Sequence, residues 1–282
     1  MKSGPMDLEL LQTFLEVGKT RHFGKAADNL FLTQSAVSAR IRSLEAYLNA
    51  QLFERTTKQV VLSAEGERLI KHAESMLLAW DNAKLDMANK VDADSLLALG
   101  STPGLWHYAF NHGLAVLFSS SDVFINSRSY SAEDLTQLLC NNALDAAMLY
   151  EKINEPNIDS MVMGNLNLRL FTSQPVTHKS ELKSLKYIHV DWGNSFNLFI
   201  DKHFKKSLNL CLKTDNAQSA QHVLMDQGGA AYLPELILDH DTQLHCVEKV
   251  IAPIYKRKVY GCFSNQSVKK SAIKNTLENL KM

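Results

Sequence analysis

Apolar residues recur at helical spacing three times within the first fifty positions. Leu8, Leu11, Phe14 and Leu15 put a stripe on a helix from about Asp7 to Gly18. Phe23, Ala26, Ala27 and Leu30 mark a second helix, and Val37, Ile41, Leu44 and Leu48 a third. Between the last two, Phe31-Leu32-Thr33 leaves room only for a tight turn, and Thr33 stands as N-cap of the third helix. Two short helices joined in this way form a helix-turn-helix, whose second helix enters the DNA major groove by its N-terminal residues. Here those residues are Gln34, Ser35 and Ser38, with Arg40 and Arg42 a turn further on. Amides and hydroxyls can read base edges, and guanidiniums can grip phosphates or guanine. The same spacing fits an ordinary helical hairpin with a solvated polar face, so the pattern alone leaves both readings open.

After the third stripe, Leu52-Phe53-Glu54-Arg55 and Gln59-Val60-Val61-Leu62 are short strand-like runs around Thr56-Thr57-Lys58, a hairpin or wing. Arg55 and Lys58 at its tip are placed to reach phosphates beside the minor groove. A long helical stretch then runs from Ser63, a second N-cap, to about Lys90. Its apolar positions Leu69, Ala73, Met76, Trp80, Ala83 and Met87 step by 4-3-4-3-4, a heptad seam rather than a broad core face. A seam on a helix roughly 40 Å long at 1.5 Å per residue wants a partner helix, which makes this the dimerisation element and the spacer to the body. Val91 to Ser95 reads as the hinge.

From Leu96 the texture changes to short apolar runs alternating with helical patterns. Strands are predicted at Leu96 to Leu99, Val123 to Ser127 and Leu144 to Tyr150, with helices to about Phe118 and from about Ala132 to Asn141 between them. A similar unit recurs with strands at Tyr187 to Val190, Leu210 to Leu212 and Ala230 to Leu233, and helices from about Ser195 to Lys206 and over Ala217 to Asp226. Ile158 to Leu166 and Leu168 to Thr172 are the crossover strands, Ala252 to Phe263 carries the chain back, and a final helix runs from about Val268 to Lys281. Such alternation predicts parallel sheet covered by helices on both faces. Ligands of these sheets sit beyond the carboxyl ends of the strands and at helix N-termini, and two facing halves leave a cleft between them. The candidate effector residues are therefore Ser101, Thr102, Ser127, Ser129, Tyr150, Asp191, Trp192 and Asn216. Hydroxyls and amides dominate, which favours a small polar ligand; each residue taken singly also serves as a helix cap or turn former.

The formal charge is zero over the whole chain, so its distribution is what matters. Between Lys19 and Val60 seven Lys/Arg face three Asp/Glu, a surplus modest enough that DNA affinity requires the module to be doubled. No run of eighteen apolar residues occurs, and the N-terminus lacks the basic-then-apolar layout of a secretory signal, so a cytoplasmic chain without a membrane span is expected. Met1 to Pro5, ahead of a second Met at Met6, read as an expression remnant or an untidy start. Cys140, Cys211, Cys246 and Cys262 are widely spaced without a CxxC, which points to buried thiols. His245-Cys246 is too little for a metal site, and neither metal nor cofactor is expected. There is no G-x-S-x-G elbow, P-loop or dinucleotide-binding GxGxxG.

The head, wing and long helix together resemble the LysR-type transcriptional regulators from Met6 to about Lys90. Ala26-Ala27, Thr33-Gln34-Ser35, Ala36-Val37-Ser38, Ile41, Leu44-Glu45, Leu52-Phe53, Arg55, Leu62 and Gly66 fall where that family has the same or similar residues. The body resembles the family more loosely, through the strand near Leu96, Leu144-Asp145-Ala146 and Gly228-Gly229 before Leu233-Pro234. One departure is Ala39, where many members carry a basic or amide residue; readout then falls more on Gln34, Ser35 and Arg42. The resemblance implies an α/β chain: a winged helix-turn-helix (6–63), a linker and dimerisation helix (64–92), and a two-lobed, Rossmann-like effector domain of the type 2 periplasmic-binding-protein kind (93–282). Lobe I would take in about 93–165 and 255–282, and lobe II about 166–254. It further implies double-stranded DNA, a second copy of the chain in a dimer or tetramer, a small-molecule effector and RNA polymerase as partners, and no enzymatic activity. A rival of another class is a small-molecule-binding protein whose N-terminal helices serve assembly. An enzyme of the two-lobed fold is a third, with Asp191 its one candidate catalytic group.

Overall fold

Three helices form where the apolar stripes predict them: α1 (Leu8–Thr20), α2 (Phe23–Asn29) and α3 (Gln34–Leu48). The computed structural model of the protein describes residues 7–55, 60–88, 96–120, 124–205, 207–236 and 244–282. Met1 to Pro5, Lys58 at the wing tip and the hinge at Val91 to Ser95 lie outside the described residues. Each helix starts on a side-chain cap that satisfies free amides of its first turn. The Asp7 carboxylate accepts from the Glu9 amide at 3.0 Å. His22 Nδ1 accepts from the Gly24 and Lys25 amides at 3.0 and 3.2 Å, a cap outside the usual hydroxyl and carboxamide set. Thr33 Oγ1, as predicted, accepts from Ala36 at 3.2 Å. Leu11, Phe14, Val17, Phe23, Ala26, Ala27, Val37, Ile41 and Leu44 are buried together and make the core of the head.

The wing is β1 (Phe53–Arg55) antiparallel to β2 (Val60–Leu62), and α4 (Ala64–Ala88) follows. One polar junction ties α3, the wing and α4 together. Glu45 Oε1 accepts from the Leu52 amide at 2.9 Å. Ser63 Oγ donates to the Gln51 carbonyl at 2.6 Å and accepts from the Gly66 amide at 3.0 Å, capping α4. Backbones touch here: a Cβ on Gly66 would stand 2.2 Å from the Leu52 carbonyl oxygen, so only glycine fits.

Contacts divide the chain into two units, residues 1–93 with 137–144 and residues 94–136 with 145–282. The first unit takes in 137–144 through Asn141 Nδ2, which donates to Ser75 Oγ, and Asn82 Nδ2, which donates to the Ala143 carbonyl, both at 3.0 Å.

The second unit is built on one mixed sheet. Its strands are β3 (Leu96–Ser101), β4 (Phe124–Ser129), β5 (Ala146–Leu149), β6 (Ile158–Thr172), β7 (Lys186–Val190), β8 (Asn209–Thr214), β9 (Ala230–Pro234), β10 (His245–Cys246) and β11 (Tyr255–Ser264). The order across the sheet is β4-β3-β5-β11-β6-β9-β7-β8, with β10 added to β6. β4-β3-β5 and β9-β7-β8 are parallel sets, and the antiparallel pair β6 and β11 runs between them. This is the two-lobed α/β arrangement, with helices α5 (Pro103–Leu105), α6 (Asn111–Ser120), α7 (Ala132–Cys140), α8 (Asn194–Phe204), α9 (Ala217–Gln227) and α10 (Lys270–Asn279). Two expectations change. The two predicted crossover segments are one strand, because β11 pairs with β6 continuously across a bulge at Val259/Tyr260. The helix after Pro103 is not regular: a π-turn at Trp106–Phe110 separates α5 from α6.

Substituting Gly66→Ala is expected to cost about 1–3 kcal/mol. Chemical denaturation followed by circular dichroism would show this as a lowered midpoint, whereas Ala64→Gly, at the exposed start of α4, would cost less than half as much.

Candidate nucleic-acid interface and ligand cleft

The first turns of α3 present a polar ridge. Val37, Ile41 and Leu44 are buried, which turns Gln34, Ser35, Ala39 and Arg42 outward and leaves Ser38 half-buried. Residues three and four apart are neighbours on a helix, so Ser35, Ala39 and Arg42 share one row and Gln34 with Ser38 the next. Thr33 Oγ1, the cap, also lies 2.9 Å from Ser35 Oγ. Arg42 has no ion-pair partner among the described residues and stands open to an anion.

Arg40 does not. Its guanidinium pairs with the Glu9 carboxylate of α1, and its Nη1 donates to Thr13 Oγ1 at 3.4 Å. The residue predicted to grip a phosphate is thus turned inward, because position 40 lies on the flank of α3 that packs toward α1. Arg55 ends β1, and its side chain, like Lys58, lies outside the described residues. Two cations that the pattern did not single out, Arg21 and Lys25, are exposed at the start of α2.

The heptad seam divides. Ala73 is buried in the head and Leu69 packs against the same core. Met76, Trp80 and Met87 are exposed by 47, 50 and 88 %, and Ala83 is exposed with them. The first two positions of the seam are therefore occupied by the head, and four remain as an apolar strip. The expectation of buried thiols also changes: Cys140 and Cys211 are exposed, Cys246 is half-buried and Cys262 buried, and none forms a disulfide. No group of His, Cys, Asp or Glu among the described residues could hold a metal ion, and no described helix is long and apolar enough to cross a membrane.

In the second unit, Thr102, Tyr150, Asp191, Trp192 and Asn216 line a single cavity of about 360 Å³. Ser101, Ser127 and Ser129 do not. Ser101 is fully buried and donates to the Met148 carbonyl inside the sheet at 3.0 Å. Ser127 and Ser129 are exposed on β4, the outermost strand. Among the residues that line the cavity, several already have structural work. Asp191 accepts from the Gly193 amide at 3.0 Å and lies 3.6 Å from Lys213 Nζ, a turn former with an ion pair rather than a free base. Trp192 Nε1 donates to the Tyr232 carbonyl at 3.1 Å, and Asn216 caps α9 by accepting from Ser219 at 3.0 Å.

Arg257, on β11, also lines the cavity and was missed. Its guanidinium lies over the Tyr150 ring, 4.1 Å from the centroid. It also lies against Gly193, whose left-handed φ of 92° and missing Cβ let the guanidinium come close. The signal was available: Tyr255, Arg257 and Val259 alternate with exposed Lys256 and Lys258, so a period of two puts one cation on the inward face. Burial raises the Tyr150 phenol far above its ordinary pKa, with Arg257 and Thr102 opposing. Tyr150 is therefore a neutral hydroxyl at physiological pH. Neither it nor Thr102 Oγ1 has a hydrogen-bond partner of good geometry, though both atoms are buried.

Comparison with known proteins finds relatives along nearly the whole chain. Residues 8–67 match the family described as bacterial regulatory helix-turn-helix protein, lysR family. The chain is 33 % identical over 283 residues to the HTH-type transcriptional regulator HdfR of Yersinia enterocolitica, covering 97 % of this chain and 96 % of that one. It is 32 % identical over 277 residues to HdfR of Escherichia coli, covering 97 % of each. Among solved structures, CbnR, a LysR family transcriptional regulator, overlaps with a TM-score of 0.71 at 14 % identity, over 98 % of this chain and 100 % of that one. Full-length CbnR complexed with its target DNA overlaps with a TM-score of 0.67 at 14 % identity, over 98 and 100 %.

Thr33→Ala should cost about 1 kcal/mol by removing the cap of α3, and Thr33→Ser close to none. Denaturation midpoints of the two variants would separate the hydroxyl from the methyl group.

Proposed function

Because the chain belongs to the LysR-type transcriptional regulators, in the branch of HdfR, we propose that α3 reads the operator through Gln34, Ser35 and Ser38. The protein is a DNA-binding regulator of transcription and not an enzyme. The observation that carries the base-reading role is the outward ridge at the start of α3, held by the Thr33 cap and followed by an unpaired guanidinium at Arg42. In this reading Arg42, Arg55 and Lys58 contact phosphates, with Arg21 and Lys25 adding to the local positive charge. Arg40 acts as a positioning residue that fixes α3 to α1 through Glu9.

Two heads are brought to one stretch of duplex by pairing α4 with the α4 of a second copy. Met76, Trp80, Ala83 and Met87 form the strip, and dimers pair again as tetramers. The cavity at Tyr150 and Arg257 takes a small-molecule effector, and RNA polymerase is the further partner through which binding becomes regulation. These events belong to the cytoplasm, where the operator is. CbnR, which shares the fold, has been solved with its target DNA, and that precedent supports duplex DNA as the partner here. The rival in which the N-terminal helices serve only assembly has no use for an outward Gln34-Ser35-Ser38 ridge.

Gln34→Ala should remove about 1–3 kcal/mol of discrimination at one or two base pairs while leaving affinity for random DNA unchanged. Fluorescence anisotropy on operator and scrambled duplexes tests this, and equal losses on both would refute the base-reading role. Trp80→Glu combined with Met87→Glu should shift the chain toward monomer in sedimentation velocity; an unchanged sedimentation coefficient would take the strip out of the interface.

A further inference from the structure

We propose that the effector is a small monocarboxylate with a flat apolar body, its carboxylate held by Arg257. This rests on the cavity being the effector site, and it assigns the ligand a chemistry. The polar groups facing the cavity at its inner end can all donate. Arg257 offers a planar fork of N–H groups, and its side chain is only 15 % exposed. Its single ion pair is loose, 3.7 Å to Glu151, a side chain 83 % exposed and therefore screened by water. The Tyr150 hydroxyl and Thr102 Oγ1 are buried beside it without a hydrogen-bond partner of good geometry, sharing only a poor contact with each other. Buried hydroxyls so poorly paired are uncommon, and a ligand oxygen between them would supply the missing bonds. Gly193 opens α8, an eleven-residue helix with no side-chain cap at its start, so the positive end of that helix faces the same point.

A buried guanidinium, which can only donate, flanked by two hydroxyls that can turn to donate, favours a ligand group that accepts and carries negative charge. A carboxylate does both, and its two oxygens match the guanidinium fork. A carboxamide of the same shape would turn an N–H toward one arm of the guanidinium fork, and an ammonium would meet Arg257 directly. The rim restricts the rest of the ligand. Asp191 and Asp215 line the cavity and are exposed, so a second negative charge would meet carboxylates on its way in. The Tyr108 and Trp192 rings supply apolar walls. A cavity of about 360 Å³ accepts a single ring with room for water but no long chain.

The test uses four probes of one size with full-length protein: benzoate, benzamide, benzylamine and the dianion phthalate. Binding is followed by isothermal titration and by intrinsic tryptophan fluorescence. Benzoate is expected to bind at least about tenfold more tightly than the other three. Arg257→Gln should lose benzoate by a similar factor with an unchanged melting temperature, and Tyr150→Phe should fall between. Equal or tighter binding of benzamide, benzylamine or phthalate would overturn the proposal, as would benzoate binding indifferent to Arg257→Gln. A cavity-filling variant, Gln218→Trp on the exposed start of α9, separates this from the wider reading. If no probe binds but Gln218→Trp alters the operator footprint, the carboxylate is wrong and the effector cavity stands. If no probe binds and the footprint is unchanged, both fall.

Discussion

The head depends on one contact: the Val37, Ile41 and Leu44 face of α3 pressed against Leu11, Phe14 and Phe23. Full burial of a side chain of this size contributes about 1.5–3 kcal/mol, whereas an exposed ion pair contributes about 0–1 kcal/mol. Apolar packing therefore sets where α3 lies, and the polar links set how it is rotated and where it stops. Thr33 holds its start, Glu9 holds Arg40 at mid-helix, and Glu45 ties its last turns to the wing through Leu52. The base-reading role proposed for α3 tolerates little freedom in side chains that reach an edge, and a helix fixed at three points along its length meets that requirement. The Arg40 pair takes one cation off the exposed face of α3 and converts it into orientation.

In the body, the corresponding constraint is the antiparallel pair β6 and β11 running between two parallel sets. Strands of both sets hydrogen-bond to this pair, so a residue on it can face groups from either half. Arg257 is such a residue. It stacks on Tyr150 at the end of β5 and lies against Gly193 at the start of α8. A ligand anchored there touches elements of both halves at once, and its affinity becomes sensitive to how they are disposed.

Much of this was legible in the sequence because periodicity records burial directly. The stripes of α1 to α3, the alternation of strand and helix after Leu96, and the caps at Thr33 and Ser63 all follow from side-chain chemistry within a few residues. What escaped depends on partners distant along the chain. No local rule shows that Glu9 would take Arg40, or that α1 would cover Leu69 and Ala73 and shorten the seam to four positions. β6 looked like two segments because the pattern breaks near Asn167, yet pairing with β11 carries it through. His22 as a cap was missed for a different reason: imidazole seldom accepts two amides, and composition gives no hint of it. Ser127 and Ser129 satisfy the strand-end rule, but the place of β4 at the edge of the sheet is set by pairing that no local pattern records. Among the cleft residues, Arg257 was hidden by its lysine neighbours, although its alternation with them pointed inward.

Ala39 has a consequence for the operator itself. It sits on the outward row of α3 between Ser35 and Arg42, where, in the proposed reading, a longer side chain would reach a further base. A head that inspects only about three or four base pairs meets an acceptable half-site by chance about every 60 to 260 positions, against about 10⁶ or more competing positions in a genome. One head therefore carries too little information to define an address. The missing bits come from repetition and spacing, so the operator's arrangement of half-sites must be more constrained than the bases within any one of them.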